Sequence, residues 1–240
     1  EVITSSHTFV ATVQVIELCG ATPVIVDLGE DYRGYVTRRT KAVIPCHIAG
    51  EVSPWKVEGV PFIDDACQAL GAIKNPTTSA QCWSFYPAKI LGCYGDGGAV
   101  TTNNESLAQE IKNLRNHYKP TYDKWGVNSR LDNLQAAILN VKLKYLPTAL
   151  ARRQEIAQLY LNRLKDVQDI GLPNNTPGRV WQDFVIRTSR RNSLYDFLKE
   201  KGIETMKNEY PMPIRKLPQA AKYESETLRI PCNETLNEEE

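Results

Sequence analysis

Three short segments of the sequence place reactive side chains directly after apolar runs. Residues 61–65 form an apolar run that ends on the acidic pair Asp64 and Asp65. Residues 84–89 lead from Ser84 to Lys89, and residues 95–98 form a glycine-rich turn. Because ligands of open α/β sheets bind outside the carboxyl ends of the strands, we expect these three segments to converge on one crevice.

The side chains in these segments suit the chemistry of pyridoxal phosphate (PLP). A lysine can form a Schiff base with the aldehyde, and a carboxylate can keep the pyridinium nitrogen protonated. Hydroxyl and backbone N–H groups can hold the phosphate. Lys89, Asp65 and Ser84 fit these roles. Each signal is weak alone, since a lysine after a strand is usually a surface residue and an aspartate there is often a helix N-cap. The residues alone leave PLP as one possibility among several.

Apolar runs of strand length dominate the first half of the chain. Runs that are apolar almost throughout are typical of strands covered on both faces, so we predict a mostly parallel α/β sheet. The predicted strands are residues 23–27, 41–48, 61–65, 82–86 and 98–102. The apolar spacing predicts helices over residues 8–19, 106–116 and 132–145, the last one ended by Pro147.

The pattern of residue types changes after Pro147. A charged amphipathic segment at 149–165 predicts a long helix, and a loop rich in Pro, Asn and Gly follows. A strand over 181–187 and a helix over 192–201 come next. We therefore predict a large PLP-binding α/β domain over residues 1–147, and a bridging helix with a small C-terminal domain over 148–240.

Composition argues against several classes of protein. The 240 residues carry a net charge of +1 without a basic patch, which disfavours nucleic acid or a membrane as a partner. The six cysteines form no CxxC pair and are interpreted as small buried side chains of a reducing compartment, so we expect a cytoplasmic protein. The three histidines lack metal-ligand spacing, so we expect no metal. No GxGxxG follows the first strand, which argues against a nicotinamide-binding enzyme.

Five ordered motifs resemble those of the DegT/DnrJ/StrS family. They are T-F-V-A-T (8–12), I-D-D-A-C-Q-A-L-G (63–71), S-F-Y-P-A-K (84–89), G-D-G-G-A-V (95–100) and N-S-R-L-D-N-L-Q-A-A (128–137). The resemblance implies PLP-dependent transferase fold type I: a mostly parallel central sheet with helices on both faces, plus a smaller C-terminal α+β domain. It also implies an aminotransferase that moves an amino group from an amino acid, by analogy L-glutamate, to a nucleotide-linked keto-sugar.

The resemblance assigns roles to individual residues. Lys89 would hold the cofactor covalently, and Asp65 would face the pyridine nitrogen. Gln68 would lie near the 3-hydroxyl of the ring, Ser84 would contact the phosphate, and Phe9 would stack on the ring. Asn128 would reach the phosphate of the neighbouring subunit, which implies a homodimer with shared active sites.

Other interpretations of these residues stay open. Phe9 could belong to the core, Gln68 could cap a helix, and Asn128 could be a turn residue. The chain could instead be a sugar dehydratase of the same family, although histidine replaces the lysine there and Lys89 argues against it. A catalytically silent regulatory or structural member is a further alternative. Glu209 and Arg215 stand where the family often has histidine, which leaves the substrate least determined.

Several lengths differ from those expected of this family. The chain starts on Glu1-Val2-Ile3, which resembles the start of a family strand some way into the fold, and it stops on three acids after an N-cap. The stretches 27–40 and 72–81 are short for the family. We therefore expect terminal segments to be missing and the backbone to be broken within 27–40 and 72–82.

Overall fold

The computed structural model describes residues 1–56, 59–73, 78–210, 214 and 216–237. Its strands and helices are, in chain order, β1 (Val2–Ser5), α1 (Val10–Leu18), β2 (Pro23–Val26), β3 (Ala42–Ile44), β4 (Ile63–Asp65), β5 (Ala80–Ser84), β6 (Gly98–Thr101), α2 (Glu105–Leu114), α3 (Asn133–Leu143), α4 (Leu146–Leu164), β7 (Phe184–Arg187), α5 (Arg191–Glu200), β8 (Met206–Lys207), α6 (Pro218–Glu226) and β9 (Thr227–Ile230). None of the helices in these ranges is long and apolar enough to cross a membrane.

Strands β1 to β6 form the mostly parallel sheet predicted from the sequence. β1 pairs in parallel with β2 and β3, and β4 pairs in parallel with β5. Parallel bridges from Val43 to Phe62 and from Cys46 to Asp65 join β3 to β4. β6 is antiparallel to β5. The strand order is therefore β2-β1-β3-β4-β5-β6, with the carboxyl ends of the first five strands on one edge.

The C-terminal part forms a separate antiparallel sheet in the order β7-β9-β8. Trp181, Phe184 and Leu228 are fully buried there, and Ile156 and Ala157 of α4 pack against them. This mixture of strands and helices matches the expected α+β character of the C-terminal region. The domain boundary at 147/148 stays a prediction.

Several predicted boundaries are wrong: β3 ends at Ile44 instead of residue 48, and β7 begins at Phe184 instead of residue 181. β5 covers Ala80–Ser84 instead of 82–86, because the Tyr86 N–H donates to Ser84 Oγ at 3.2 Å and the chain then turns at Pro87. Pro147 does not end the preceding helix. It lies in the first turn of α4, where a backbone N–H has no acceptor within the helix, so proline costs no hydrogen bond there.

The expected break within residues 27–40 stays a prediction. Successive turns connect this stretch through hydrogen bonds from Glu30 N to Asp27 O at 3.2 Å, from Gly34 N to Asp31 O at 3.1 Å and from Thr40 N to Thr37 O at 3.1 Å. The other expected break falls on a stretch in which residues 74–77 lie outside the described part of the chain, so that expectation stays a prediction.

Asp27 joins the sheet to the C-terminal helix α6. It follows β2, is 6% exposed, and accepts hydrogen bonds from Gln219 N at 2.8 Å and Ala220 N at 2.9 Å. These N–H groups belong to the first turn of α6, where no helical carbonyl can accept them. The adjacent N-cap residue, Leu217, makes no side-chain cap. The carboxylate therefore caps a helix that follows it by nearly 200 residues, which suits the positive end of the helix dipole.

We expect Asp27→Ala to lower the free energy of unfolding by about 1–3 kcal/mol, because two buried N–H groups lose their acceptor. Asp31→Ala is the matched control, since Asp31 caps a short turn but is exposed to solvent. Urea unfolding at one fixed protein concentration measures both variants. Equal midpoints for the two variants would contradict the role of Asp27 as a cap between distant segments.

Candidate functional site

Asp65 is fixed at the carboxyl end of β4 by contacts from three directions. Its Oδ2 accepts a hydrogen bond from Thr12 Oγ1 at 2.6 Å, and its Oδ1 accepts one from Cys67 N at 3.2 Å. Its backbone N–H donates to Pro45 O at 2.9 Å, and its carbonyl accepts from His47 N at 3.0 Å. The carboxylate is therefore held in one orientation while part of it stays accessible, since Asp65 is only half-buried.

The neighbouring Asp64 faces the opposite side of the sheet, as alternation along a strand requires. It is 4% exposed, its Oδ1 lies 3.3 Å from His47 Nε2, and its Oδ2 accepts from Thr78 Oγ1 at 2.6 Å. Asp64 is thus committed to buried contacts. Of the acidic pair, Asp65 is the one that can meet a ligand.

Thr12 is the site residue that the sequence prediction missed. It lies on α1, is 6% exposed, and exchanges a hydrogen bond of 2.7 Å with Thr8 Oγ1 one helical turn away. Both threonines belong to the T-F-V-A-T motif, so the signal was present in the sequence. The spacing of four residues, which puts Thr8 and Thr12 on one side of the chain, could have identified them.

Lys89 lies in the turn that follows β5, on the same edge of the sheet. Its N–H donates to Tyr86 O at 2.9 Å, and the residue is half-buried. Because β4 pairs in parallel with β5, Lys89 follows the strand that lies next to the one that ends at Asp65. Burial raises the pKa of Cys67, the Asp65 carboxylate raises it further, and the Lys89 ammonium lowers it. The two charged groups of opposite sign therefore act on one sulfur atom.

Among the described residues, Gln68 and Ser84 each have a donor without a hydrogen-bond acceptor. Gln68 Oε1 accepts from Ala49 N at 2.8 Å, which fixes the orientation of the amide and leaves its NH₂ group as a donor. Ser84 Oγ accepts from Tyr86 N at 3.2 Å, so its own O–H can be donated. Ala49 lies in the short 3₁₀ turn Ile48–Gly50, so the alternative that Gln68 caps a helical turn stays open beside the cofactor role.

Phe9 and Asn128 are both exposed. Phe9 precedes α1 in an extended conformation and is 68% exposed, so the alternative that it belongs to the core is wrong. Asn128 pairs with Asn116 in an isolated bridge, and its Oδ1 accepts from Arg130 Nε at 3.0 Å. Within the described part of the chain, no hydrogen bond links Asn128 to the other five predicted site residues. Its role towards a second subunit stays a prediction, as do the roles of the other five.

The residues present fit PLP. The fixed carboxylate suits the pyridinium nitrogen, and the lysine on the same edge of the sheet suits the aldehyde. The two side-chain donors suit the ring hydroxyl and the phosphate, and the exposed aromatic side chain suits the face of the ring. Among the described residues, no cluster of His, Cys, Asp or Glu could hold a metal ion. Arg215, one of the two departures noted in the sequence, lies outside the described residues. The sheet and this residue set define a PLP-dependent enzyme of fold type I.

The comparisons with known proteins identify the family. The model of the DegT/DnrJ/EryC1/StrS aminotransferase family matches residues 1–240. The chain is 35% identical to the dTDP-3-amino-3,4,6-trideoxy-alpha-D-glucose transaminase of Streptomyces venezuelae, with 98% of this chain and 72% of that protein covered. It is 37% identical to the pleiotropic regulatory protein of Geobacillus stearothermophilus, with 100% and 75% covered. The chain therefore belongs to this family and is a PLP-dependent aminotransferase.

The solved structures agree with this assignment. The crystal structure of DesV from S. venezuelae superposes with a TM-score of 0.92 at 34% identity, covering 99% of this chain and 74% of that one. The predicted fold class is thereby confirmed. The alignment with the S. venezuelae transaminase runs over 274 positions, although this chain has 240 residues, so that relative has internal residues that this chain lacks. The short connections noted in the sequence agree with this difference.

We expect Asp65→Asn to lower the rate of transamination by about 10²-fold or more, because the amide keeps the shape but cannot stabilise a protonated ring nitrogen. Loss of cofactor should be modest. Asp166→Asn, at an exposed position, should leave the rate unchanged. Steady-state kinetics with glutamate measures both variants. Near-normal turnover of Asp65→Asn would contradict the assignment of Asp65 to the ring nitrogen.

Proposed function

We propose that this chain transfers an amino group from an amino acid, L-glutamate by family analogy, to a keto-sugar carried on a nucleotide. The observation that carries the proposal is the parallel pairing of β4 with β5, which puts Asp65 and the turn that carries Lys89 on one edge of the sheet, with Asp65 anchored by Thr12. The name of the S. venezuelae transaminase, 35% identical to this chain, supports a nucleotide-linked sugar as the acceptor.

Each predicted residue has a task in this proposal. The bound cofactor supplies an electron sink for the bond at the amino-bearing carbon. Asp65 would hold a proton on the ring nitrogen through a charge-assisted hydrogen bond. Gln68 would donate its NH₂ group to the ring hydroxyl, Ser84 would donate to the phosphate, and Phe9 would lie against the ring face.

Lys89 performs the proton transfers. Its amine would hold the cofactor covalently while no donor is bound, and would be free as a base when the donor is bound. The free amine then removes the proton from the donor Cα and returns one in the opposite half-reaction. Both half-reactions use the same residues, so the amino acid and the sugar occupy the site in turn.

The same proposal includes a homodimer in the cytoplasm. Asn128 is exposed on a loop and would contact the phosphate in the neighbouring active site, so that two chains complete each site. Light scattering of the active preparation tests this point. A monomer with full activity would contradict it.

Transfer to a panel of dTDP- and UDP-linked keto-sugars tests the function. We expect 2-oxoglutarate to form from glutamate in step with amination of at least one nucleotide-linked sugar. Lys89→Ala should abolish this conversion, whereas Lys199→Ala, at an exposed position of α5, should not change it. Amination of free keto acids without amination of any nucleotide-linked sugar would contradict the proposed acceptor.

A second candidate is regulation, which the name of the G. stearothermophilus relative supports. The intact set of Asp65, Gln68, Ser84 and Lys89 favours catalysis. A purified protein that binds PLP but forms no 2-oxoglutarate from glutamate in a single turnover would favour regulation instead.

A further inference from the structure

The side chain of Gln182 makes hydrogen bonds on both sides of Lys89. Its Nε2 donates to Ala88 O at 3.0 Å, and its Oε1 accepts from Ile90 N at 3.2 Å. We propose that Gln182 is a positioning residue for Lys89, which rests on the proposed role of Lys89 in holding the cofactor. It acts by fixing the peptide groups before and after the lysine.

The amide of Gln182 binds backbone atoms of the turn. Its NH₂ group donates to the carbonyl of Ala88, and its oxygen accepts from the N–H of Ile90. A neighbouring strand would make the same pair of hydrogen bonds. The Lys89 ammonium takes no part and stays available for chemistry. A lysine that must reach an aldehyde and later a donor Cα needs a fixed backbone, since small displacements of a reacting group slow the reaction strongly.

Gln182 is itself held rigidly from the C-terminal region. Arg153 of α4, 6% exposed, donates through Nη1 to Trp181 O at 3.0 Å, Gln182 O at 3.2 Å and Cys232 O at 2.7 Å. Nη1 carries two hydrogens, so two of these carbonyls share one of them, and the guanidinium ties the segment to Cys232 and limits its freedom. The side chain of Gln182 therefore reaches the Lys89 turn from a backbone segment that is itself fixed.

A second anchor holds the same segment from the loop that follows β3. Val180 N donates to Gly50 O at 3.0 Å, and a Cβ on Gly50 would lie 1.2 Å from Val180 O. Gly50 also has a φ of +82°, so only glycine fits this contact. The preceding residue, Ala49, donates its N–H to Gln68. The loop that orients Gln68 thus also carries the segment that holds Lys89.

The turn around Lys89 is closed on its inner side by its own residues. Lys89 N bonds to Tyr86 O, and a Cβ on Gly92 would lie 2.4 Å from Pro87 O. These contacts set the shape of the turn, and Gln182 ties that shape to the C-terminal region, 92 residues further along the chain. Loss of Gln182 should leave the turn intact but shift or loosen the lysine.

Three variants separate positioning from a purely structural link. Gln182→Ala removes both hydrogen bonds to the turn. Gln182→Glu keeps an acceptor for Ile90 N but loses the donor to Ala88 O. Gln154→Ala is the matched control, because exposed Gln154 accepts a hydrogen bond of 2.8 Å from Trp181 Nε1 and so supports the same segment without contact to the turn.

Hydrogen exchange of the Ile90 amide in the cofactor-free protein gives the first readout. We expect roughly tenfold faster exchange in Gln182→Ala, equivalent to one lost hydrogen bond, with protection largely kept in Gln182→Glu and unchanged in Gln154→Ala. The rate of covalent PLP attachment to Lys89 should fall by about tenfold in Gln182→Ala. The kcat of the glutamate half-reaction should fall by a similar factor while KM for glutamate is unchanged.

The contradicting results are equally specific. Unchanged exchange at Ile90 in Gln182→Ala would overturn the proposal, as would equal losses of kcat in Gln182→Ala and Gln154→Ala. If Gln182→Ala does not fold, Gln182→Glu decides: slower PLP attachment than in the unaltered protein supports positioning, and an unaltered rate refutes it. Failure of every variant and of the unaltered protein to attach PLP would refute the proposed function instead.

Discussion

Asp65 has to remain an oriented carboxylate at the end of a sheet strand, and the surrounding chain is arranged to keep it so. Thr12 of α1 and the backbone N–H of Cys67 each bind one of its oxygens, while the pairing of β3 with β4 fixes its backbone. Strand alternation sends Asp64 to the other face, where His47 and Thr78 bind it. One acidic pair therefore provides both a structural anchor and a functional group.

The site also depends on segments that are distant in sequence. The turn that carries Lys89 touches Gln182, the loop at Ala49 touches Gln68, and Asp27 at the edge of the sheet caps α6. Each of these contacts joins the N-terminal sheet or its loops to another part of the chain. The free energy of such hydrogen bonds is modest singly, but each also satisfies a polar backbone group that would be costly to leave unpaired. Folding of the C-terminal region and shaping of the site are thus coupled.

The sequence predicted much of the fold because local signals are strong in this chain. Apolar runs identified strands β2 to β6, whereas the roles that the ordered motifs assign to Lys89 and Asp65 stay predictions. Strand boundaries were predicted less accurately where a side chain binds a backbone N–H in place of a neighbouring strand, as Ser84 does at the end of β5. Gln182 could not be found, since its partners lie 92 and 94 residues away and no periodicity encodes such a contact. The prediction that Pro147 ends a helix failed because proline is as compatible with the first turn of a helix as with the residues after its end.

Reduction with borohydride and peptide mapping test the central claim, that Lys89 is the residue at which this fold holds the cofactor. The protein is loaded with PLP, reduced, digested with trypsin and analysed by mass spectrometry. The account predicts one stable adduct on Lys89, seen as a missed cleavage at that residue, and none in Lys89→Ala. An adduct on any other lysine, or adducts spread over several exposed lysines with Lys89 unmodified, would contradict it.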